Sequence, residues 1–99
     1  MTVKWEVYLS NNAKKSHEKL KRNGQRPSIA SVLNLLLLEL EMKGPERVNW
    51  PNYGKLSKDN YHCHLRKGRP TFVACWKILS EKSRQIEVFY VGTHEGAPY

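Results

Sequence analysis

Three of the four histidines lie between Tyr61 and Tyr99, two of them in the alternating run Tyr61-His62-Cys63-His64-Leu65-Arg66. In an extended strand, residues two apart project to the same side, so His62, His64 and Arg66 share one face while Tyr61, Cys63 and Leu65 share the other. A slip of one residue would exchange the two sets. An imidazole with an unperturbed pKa of about 6.5 is available in both protonation states near neutrality, so a histidine pair can supply an acid and a base in one cycle. Neighbouring Arg and Lys would lower that pKa. His94 lies in the closing run Val91-Gly92-Thr93-His94-Glu95-Gly96-Ala97-Pro98-Tyr99. This third imidazole must reach the strand face from the chain's far end.

The chain that positions these groups has 99 residues, expected to form one domain over 1–99, because burial on this scale does not divide between two cores. Seventeen Lys and Arg against nine Asp and Glu give a formal charge of +8. Such an excess attracts polyanions by steering and counterion release, which favours nucleic acid or ribosome as partner. The start Met1-Thr2-Val3-Lys4-Trp5 lacks a signal-peptide core. The leucine-rich run from Val32 to Leu40 is too short to span a bilayer and is interrupted by Asn34 and Glu39, so no membrane association is expected. Cys63 and Cys75, in apolar surroundings, read as free thiols in a reducing cytoplasm.

Val3, Trp5, Val7 and Leu9 alternate with Lys4, Glu6 and Tyr8, the pattern of a first strand. Ser10 or Asn11 caps a basic helix of roughly residues 12–23, for which Gly24 is the stop and in which His17 takes a packing role. Pro27 and Ser28 open a second helix, whose Ile29, Val32, Leu33, Leu36, Leu37 and Leu40 form a broad apolar stripe. After Gly44-Pro45, a connection through Trp50-Pro51-Asn52-Tyr53-Gly54 leads to three strands near 60–67, 71–79 and 85–92. Short turns make them antiparallel neighbours, and Phe72-Val73-Ala74-Cys75-Trp76, apolar on both sides, belongs in the centre. The expected fold is α+β, in the order βααβββ, with an antiparallel sheet covered by two N-terminal helices.

This element order, the basic charge and the ending Val91-Gly92-Thr93-His94…Tyr99 resemble the RelE/ParE/HigB superfamily of type II toxin-antitoxin toxins. The likeness covers nearly the whole chain as topology. Its most specific part is Tyr61 to Tyr99, and Val91-Gly92-Thr93-His94 is similar to HigB-type members. The resemblance implies a small cytoplasmic toxin held by a cognate antitoxin, which cleaves messenger RNA on the ribosome without a metal or other cofactor. His62 and His64 stand where RelE-like ribonucleases present Lys, Arg or Glu. An arginine common at the start of the next strand falls near Val73, with Arg69 as the nearest substitute. His94 takes the place of the basic residue after the glycine, and Tyr99 that of the closing tyrosine.

Cleavage of RNA by its own 2′-hydroxyl needs a base for that proton, an acid for the departing 5′-oxygen and donors for the phosphate charge. On this reading His64 or His62 is the base and His94 the acid, in an order that can be exchanged. Arg66, with Lys55, Lys58 or Arg69, clamps the phosphate, and Lys67 adds a contact in the same turn. Tyr99 stacks on a displaced base or orients the nucleotide. Lys14, Lys15 and Lys19 of the first helix contact RNA phosphates or form a solvated face. A first alternative is a zinc site of His62, His64 and His94. No acidic residue is expected close enough in sequence to act as its base, and the basic surroundings would repel the ion. A second alternative is a protein of the same fold acting by binding alone, through gyrase inhibition or nucleic-acid binding.

Overall fold

Ser10 marks the point where the first strand turns into helix. Its Oγ accepts a hydrogen bond from Ala13 N at 3.1 Å, its carbonyl accepts from Lys14 N, and its own N–H reaches Val88 O at 3.0 Å. Such a cap contributes about 1 kcal/mol, and here it also ties the helix start to the last strand. The computed structural model describes residues 4–22, 27–66, 68 and 70–99. Val3, Asn23, Gly24, Lys67 and Arg69, which carry sequence-based expectations, lie outside the described residues.

The order of elements is β1 (Glu6–Leu9), α1 (Asn11–Arg22), α2 (Pro27–Lys43), β2 (Gly54–Ser57), β3 (Asn60–Arg66), β4 (Phe72–Ser80) and β5 (Gln85–Thr93), followed by a 3-10 turn at His94–Gly96. The sheet runs β1-β5-β4-β3-β2. The architecture is α+β with two helices before a strand meander, as the sequence predicts, but it differs from that expectation in two particulars. A further strand, β2, forms after the Trp50–Tyr53 connection and pairs antiparallel with β3. Its Gly-Lys-Leu-Ser sequence has one apolar side chain and no readable alternation, so its strand character comes from the ladder that β3 offers. The sheet is also mixed, because β1 lies parallel to β5. Tight turns force β2 to β5 to alternate in direction, whereas β1 is reached through two helices and is free of that constraint.

α1 and α2 cover one face of the sheet. Ile29, Leu33, Leu36 and Leu40 of α2 are buried, as are Ala13 and Leu20 of α1. They meet Tyr61, Cys63 and Leu65 of β3 and Trp76 of β4. Fully burying such a side chain contributes about 1.5–3 kcal/mol, so this one layer supplies most of the apolar stabilisation. Trp76 is wholly buried and satisfies its indole N–H by donating to Pro45 O at 3.1 Å. Tyr53 stacks near Tyr61 and Trp76, at 6.2 and 6.4 Å between centroids, which gives this tyrosine a packing role. His17 Nε2 lies 2.9 Å from Asn34 Oδ1, joining α1 to α2. Among the described residues, no helix is long and apolar enough to cross a membrane.

Candidate functional site

The second face of the sheet is built by register. His62 is paired with Gly54 on one side and Cys75 on the other, and Cys75 is paired in turn with Tyr90. One step along, His64 pairs with Val73 and Val73 with Gly92. Directly opposed residues project to the same face, so both imidazoles stand on the side away from the helices, as the alternation of β3 predicts. Gly54 lets the ring sit close: a Cβ there would lie 3.2 Å from His62 Nε2, a tight contact that would push the imidazole aside by a few tenths of an ångström.

His64 is anchored through its backbone, its N–H donating to Pro51 O at 2.8 Å. The loop that carries Pro51 is fixed by a half-buried carboxylate. Glu39 Oε1 accepts from Trp50 Nε1 at 2.9 Å and from Arg47 Nη1 at 3.1 Å. The Trp50 bond, then the bond and charge of Arg47, hold the Glu39 carboxyl below its usual range against the opposing cost of burial.

The other half of the site is set by Tyr90, whose hydroxyl donates to Thr93 O at 2.7 Å. A Cβ on Gly92 or Gly96 would fall 2.7 or 2.8 Å from that hydroxyl. The two glycines of the closing run therefore make room for one tyrosine, around which β5 turns into the 3-10 segment. His94 N then donates to Thr71 O at 2.8 Å, fixing the backbone from which its ring projects.

The rings form a chain across this face. His64 and His94 are 5.7 Å apart edge-on, His94 and Tyr99 5.6 Å, and Tyr99 and His62 4.7 Å. His64 and His94 line an open cleft of about 720 Å³ with Gly68, Pro70, Thr71, Thr93 and Glu95. Arg66 is exposed, with Nε near Gly68, but it is not among the cleft residues. His62 is not among the cleft residues. It lies beside Tyr99, its Nδ1 buried without a hydrogen-bond partner among the described residues. Burial, and secondarily the charge of His94, push its pKa down. Burial pushes the Tyr99 hydroxyl up. Cys63 and Cys75 are free thiols, pushed up to about 12 chiefly by burial, and are not nucleophiles at neutral pH.

The sequence-selected residues are thus not all together. His62, His64, His94 and Tyr99 are. A register shift between His64 and Arg66 pairs Arg66 with Phe72 of the helix-side core, so the strict alternation that was to carry Arg66 onto the histidine face is interrupted. Lys55 pairs with Tyr61 and holds its ammonium 5.5 Å from that ring's centroid, on the helix side of the sheet. Lys58 lies in the β2–β3 turn, six residues from His64 at the far end of β3, a span of roughly 20 Å in an extended chain. Lys14, Lys15 and Lys19 line a shallow groove on α1 with Glu18 and Arg22. Lys19 also lines a second groove that reaches Thr93, a residue of the histidine cleft. Lys67 and Arg69 are outside the described residues. Among the described residues, no group of three His, Cys, Asp or Glu is arranged to hold a metal ion. Glu95 was not among the residues singled out from sequence, although it adjoins His94. Its presence in the cleft corrects the expectation that no acidic residue stands near the histidines, and its place in the closing run was the available signal.

No family model matches the sequence, and no curated protein does. Solved structures do. A YoeB dimer from Staphylococcus aureus superposes with a TM-score of 0.68 at 12% identity, over 92% of this chain and 98% of that one. A mutant of E. coli toxin RelE in the free state gives 0.66 at 17% identity, over 95% and 87%. The chain has the RelE/YoeB toxin fold. A YoeB–YefM complex from Staphylococcus aureus aligns with a TM-score of 0.66 at 13% identity, over 91% and 97%. The RelE/YoeB fold accounts for the five-strand mixed sheet and its two helices, while the ring cluster is described by this chain's own side chains.

Proposed function

We propose that this protein is the toxin of a type II toxin-antitoxin system and a ribosome-dependent, metal-independent messenger endoribonuclease that stops translation in the cytoplasm. The observation that carries the reading is the His64–His94 pair, 5.7 Å apart across an open cleft on a RelE/YoeB fold. In the proposed step one imidazole takes the proton of a ribose 2′-hydroxyl. The freed oxygen attacks the adjacent phosphorus, the P–O5′ bond breaks, and the other imidazole gives its proton to the departing 5′-oxygen. A 2′,3′-cyclic phosphate and a 5′-hydroxyl end result. Because only His64 of the β3 pair lines the cleft, we assign the two proton transfers to His64 and His94, with Glu95 as the competing base. Arg66, whose Nε lies near the cleft residue Gly68, is assigned to meet the phosphate charge, and Tyr99 to orient the nucleotide from the side.

The excess positive charge supports a polyanionic partner. We place Lys58, Lys67 and Arg69 among the contacts to messenger, and Lys14, Lys15 and Lys19 among those to ribosomal RNA. Lys55, on the other side of the sheet, would act on ribosomal RNA rather than at the scissile phosphate. A cognate antitoxin is the proposed protein partner, on the likeness to a chain solved as a YoeB–YefM complex. The test is induction of the chain in cells. Cleaved messages and intact DNA support the proposal, whereas DNA breaks with intact messages would replace it with gyrase inhibition. Cleavage by Glu95→Gln at the wild-type rate would confine the proton transfers to the histidines.

A further inference from the structure

The same sheet face holds a second concavity, about 370 Å³, that none of the roles above uses. It lies beyond Tyr99 and is lined by Leu56, Asn60, Lys77, Phe89, Pro98 and Tyr99. Its most telling member is Phe89. The β4–β5 register shifts between Cys75, paired with Tyr90, and Trp76, paired with Val88, so Phe89 is the extra residue of a bulge. A bulge turns a side chain that strict alternation would place otherwise. Val88 and Val91 pack in the helix-side core, while Phe89 opens onto the opposite face beside Lys77, whose ammonium lies 5.8 Å from the ring centroid.

The chemistry of this pocket differs from that of a phosphate site. Lys77 Nζ is 3.6 Å from Glu87 Oε1, so its charge is largely offset. What remains is two aromatic rings, an amide and apolar walls, the set that holds an unstacked base by its face and reads it by its edge. The volume is at the small end of ligand sites, which run from about 300 Å³ upward. Tyr99 is a wall of this pocket and also lies 5.6 Å from His94 of the cleft, so a strand seated at the histidines leads directly to it.

We infer that the Phe89–Tyr99 pocket is a nucleobase subsite that receives the base of a nucleotide next to the scissile one and gives the cleavage its sequence preference. This inference rests on the nuclease reading above. The experiment is cleavage, on programmed ribosomes, of messages in which each position flanking the cut carries each of the four bases in turn. It compares the wild-type chain with Asn60→Ala and Phe89→Leu. The expected result is a wild-type preference at one flanking position of about tenfold, within what loss of base–aromatic stacking costs, that collapses in both variants. The rate on the least favoured base stays unchanged. Full preference in both variants would overturn the inference.

A second measurement separates this failure from failure of the nuclease reading. The ¹⁵N-labelled full chain is titrated with the four nucleoside 5′-monophosphates. Amide shifts at Asn60 and Phe89 that disappear in Phe89→Leu, in an otherwise unchanged spectrum, sustain the subsite even if no message is cut. Shifts absent from the pocket, with cleavage intact and its preference unaltered, sink the subsite and leave the nuclease standing.

Discussion

The two faces of β3 are made from the same seven residues and are unlike in every physical respect. On the helix side Tyr61, Cys63 and Leu65 are buried, and Tyr61 stacks nearly parallel to Trp76 at 10°. On the other side His62 and His64 are half-buried, and their neighbouring rings meet at 32° to 89°. One face is closed by two helices. Among the described residues, the other carries only a short C-terminal segment, whose Tyr99 is still 46% exposed. The alternation of a strand lets adjacent residues answer to different demands, so stability and chemistry can be altered separately along one segment.

That separation can be broken from either side, and the largest expected effects are on the open face. His64→Ala and His94→Ala should each lower messenger cleavage by about 10²–10⁴-fold, the usual contribution of a positioned acid or base. Both are at or near the surface, so their urea midpoints should stay close to wild type. Full cleavage by both variants would remove the catalytic assignment, and a collapsed midpoint would mean that the open face also carries stability.

On the covered face, Leu36→Ala should cost about 2–5 kcal/mol of unfolding free energy, since Leu36 is wholly buried in the layer between α2 and the sheet. The measurement is equilibrium urea denaturation. At temperatures where the variant is folded, its cleavage rate should match wild type. A slowed rate in a fully folded sample would show that helix packing reaches through the sheet to the histidines.

These contrasts follow what was readable in the sequence. The alternation of β3 placed His62 and His64 on one side because the period of two is a local property. The four rings His62, His64, His94 and Tyr99 were found because their residue types announce themselves, whereas the pairing of Arg66 with Phe72 was hidden by a register shift that leaves no mark in the sequence. β2 escaped notice because four residues with one apolar side chain carry no period, and the parallel pairing of β1 because a partner across the chain leaves no local mark. Phe89 was hidden by a bulge, which adds one residue to the register without changing the composition. Lys55 was credited to the site from its charge, whereas its side follows from pairing with Tyr61 through a strand the sequence did not reveal.

A smaller effect should come from the clamp behind His64. Trp50→Phe keeps an aromatic ring but removes the donor to Glu39, an interaction worth about 1.5–3 kcal/mol when the acceptor is charged. If that clamp holds the Pro51 carbonyl against the His64 N–H, hydrogen exchange at the His64 amide should accelerate more than exchange in β4. Uniform acceleration across the sheet would reduce Trp50 to a general packing residue. Selective acceleration would tie the helix-side network to the geometry of the open face.

The finest distinction concerns His62, whose ring is on the open face but is shielded beside Tyr99. Its pKa is lowered first by burial and then by the charge of His94. A group that binds its proton more weakly when folded makes the unfolded chain the better proton acceptor, so stability rises with pH through the interval between the two values. The contribution is complete above the unfolded value of about 6.5 and is lost as pH falls through the lowered folded value. Thermal midpoints of wild type and His62→Gln at pH 7.5 and pH 5 isolate it, because carboxylates such as Glu39 titrate alike in both. The wild type should lose more on acidification than the variant, and equal losses would refute the shift. The causes can be divided as well. Tyr99→Ala, which exposes the ring, should return the NMR titration midpoint of His62 further toward its ordinary value than His94→Ala, because burial is the larger cause. The reverse order would make His62 a sensor of His94 rather than a ring shielded by Tyr99.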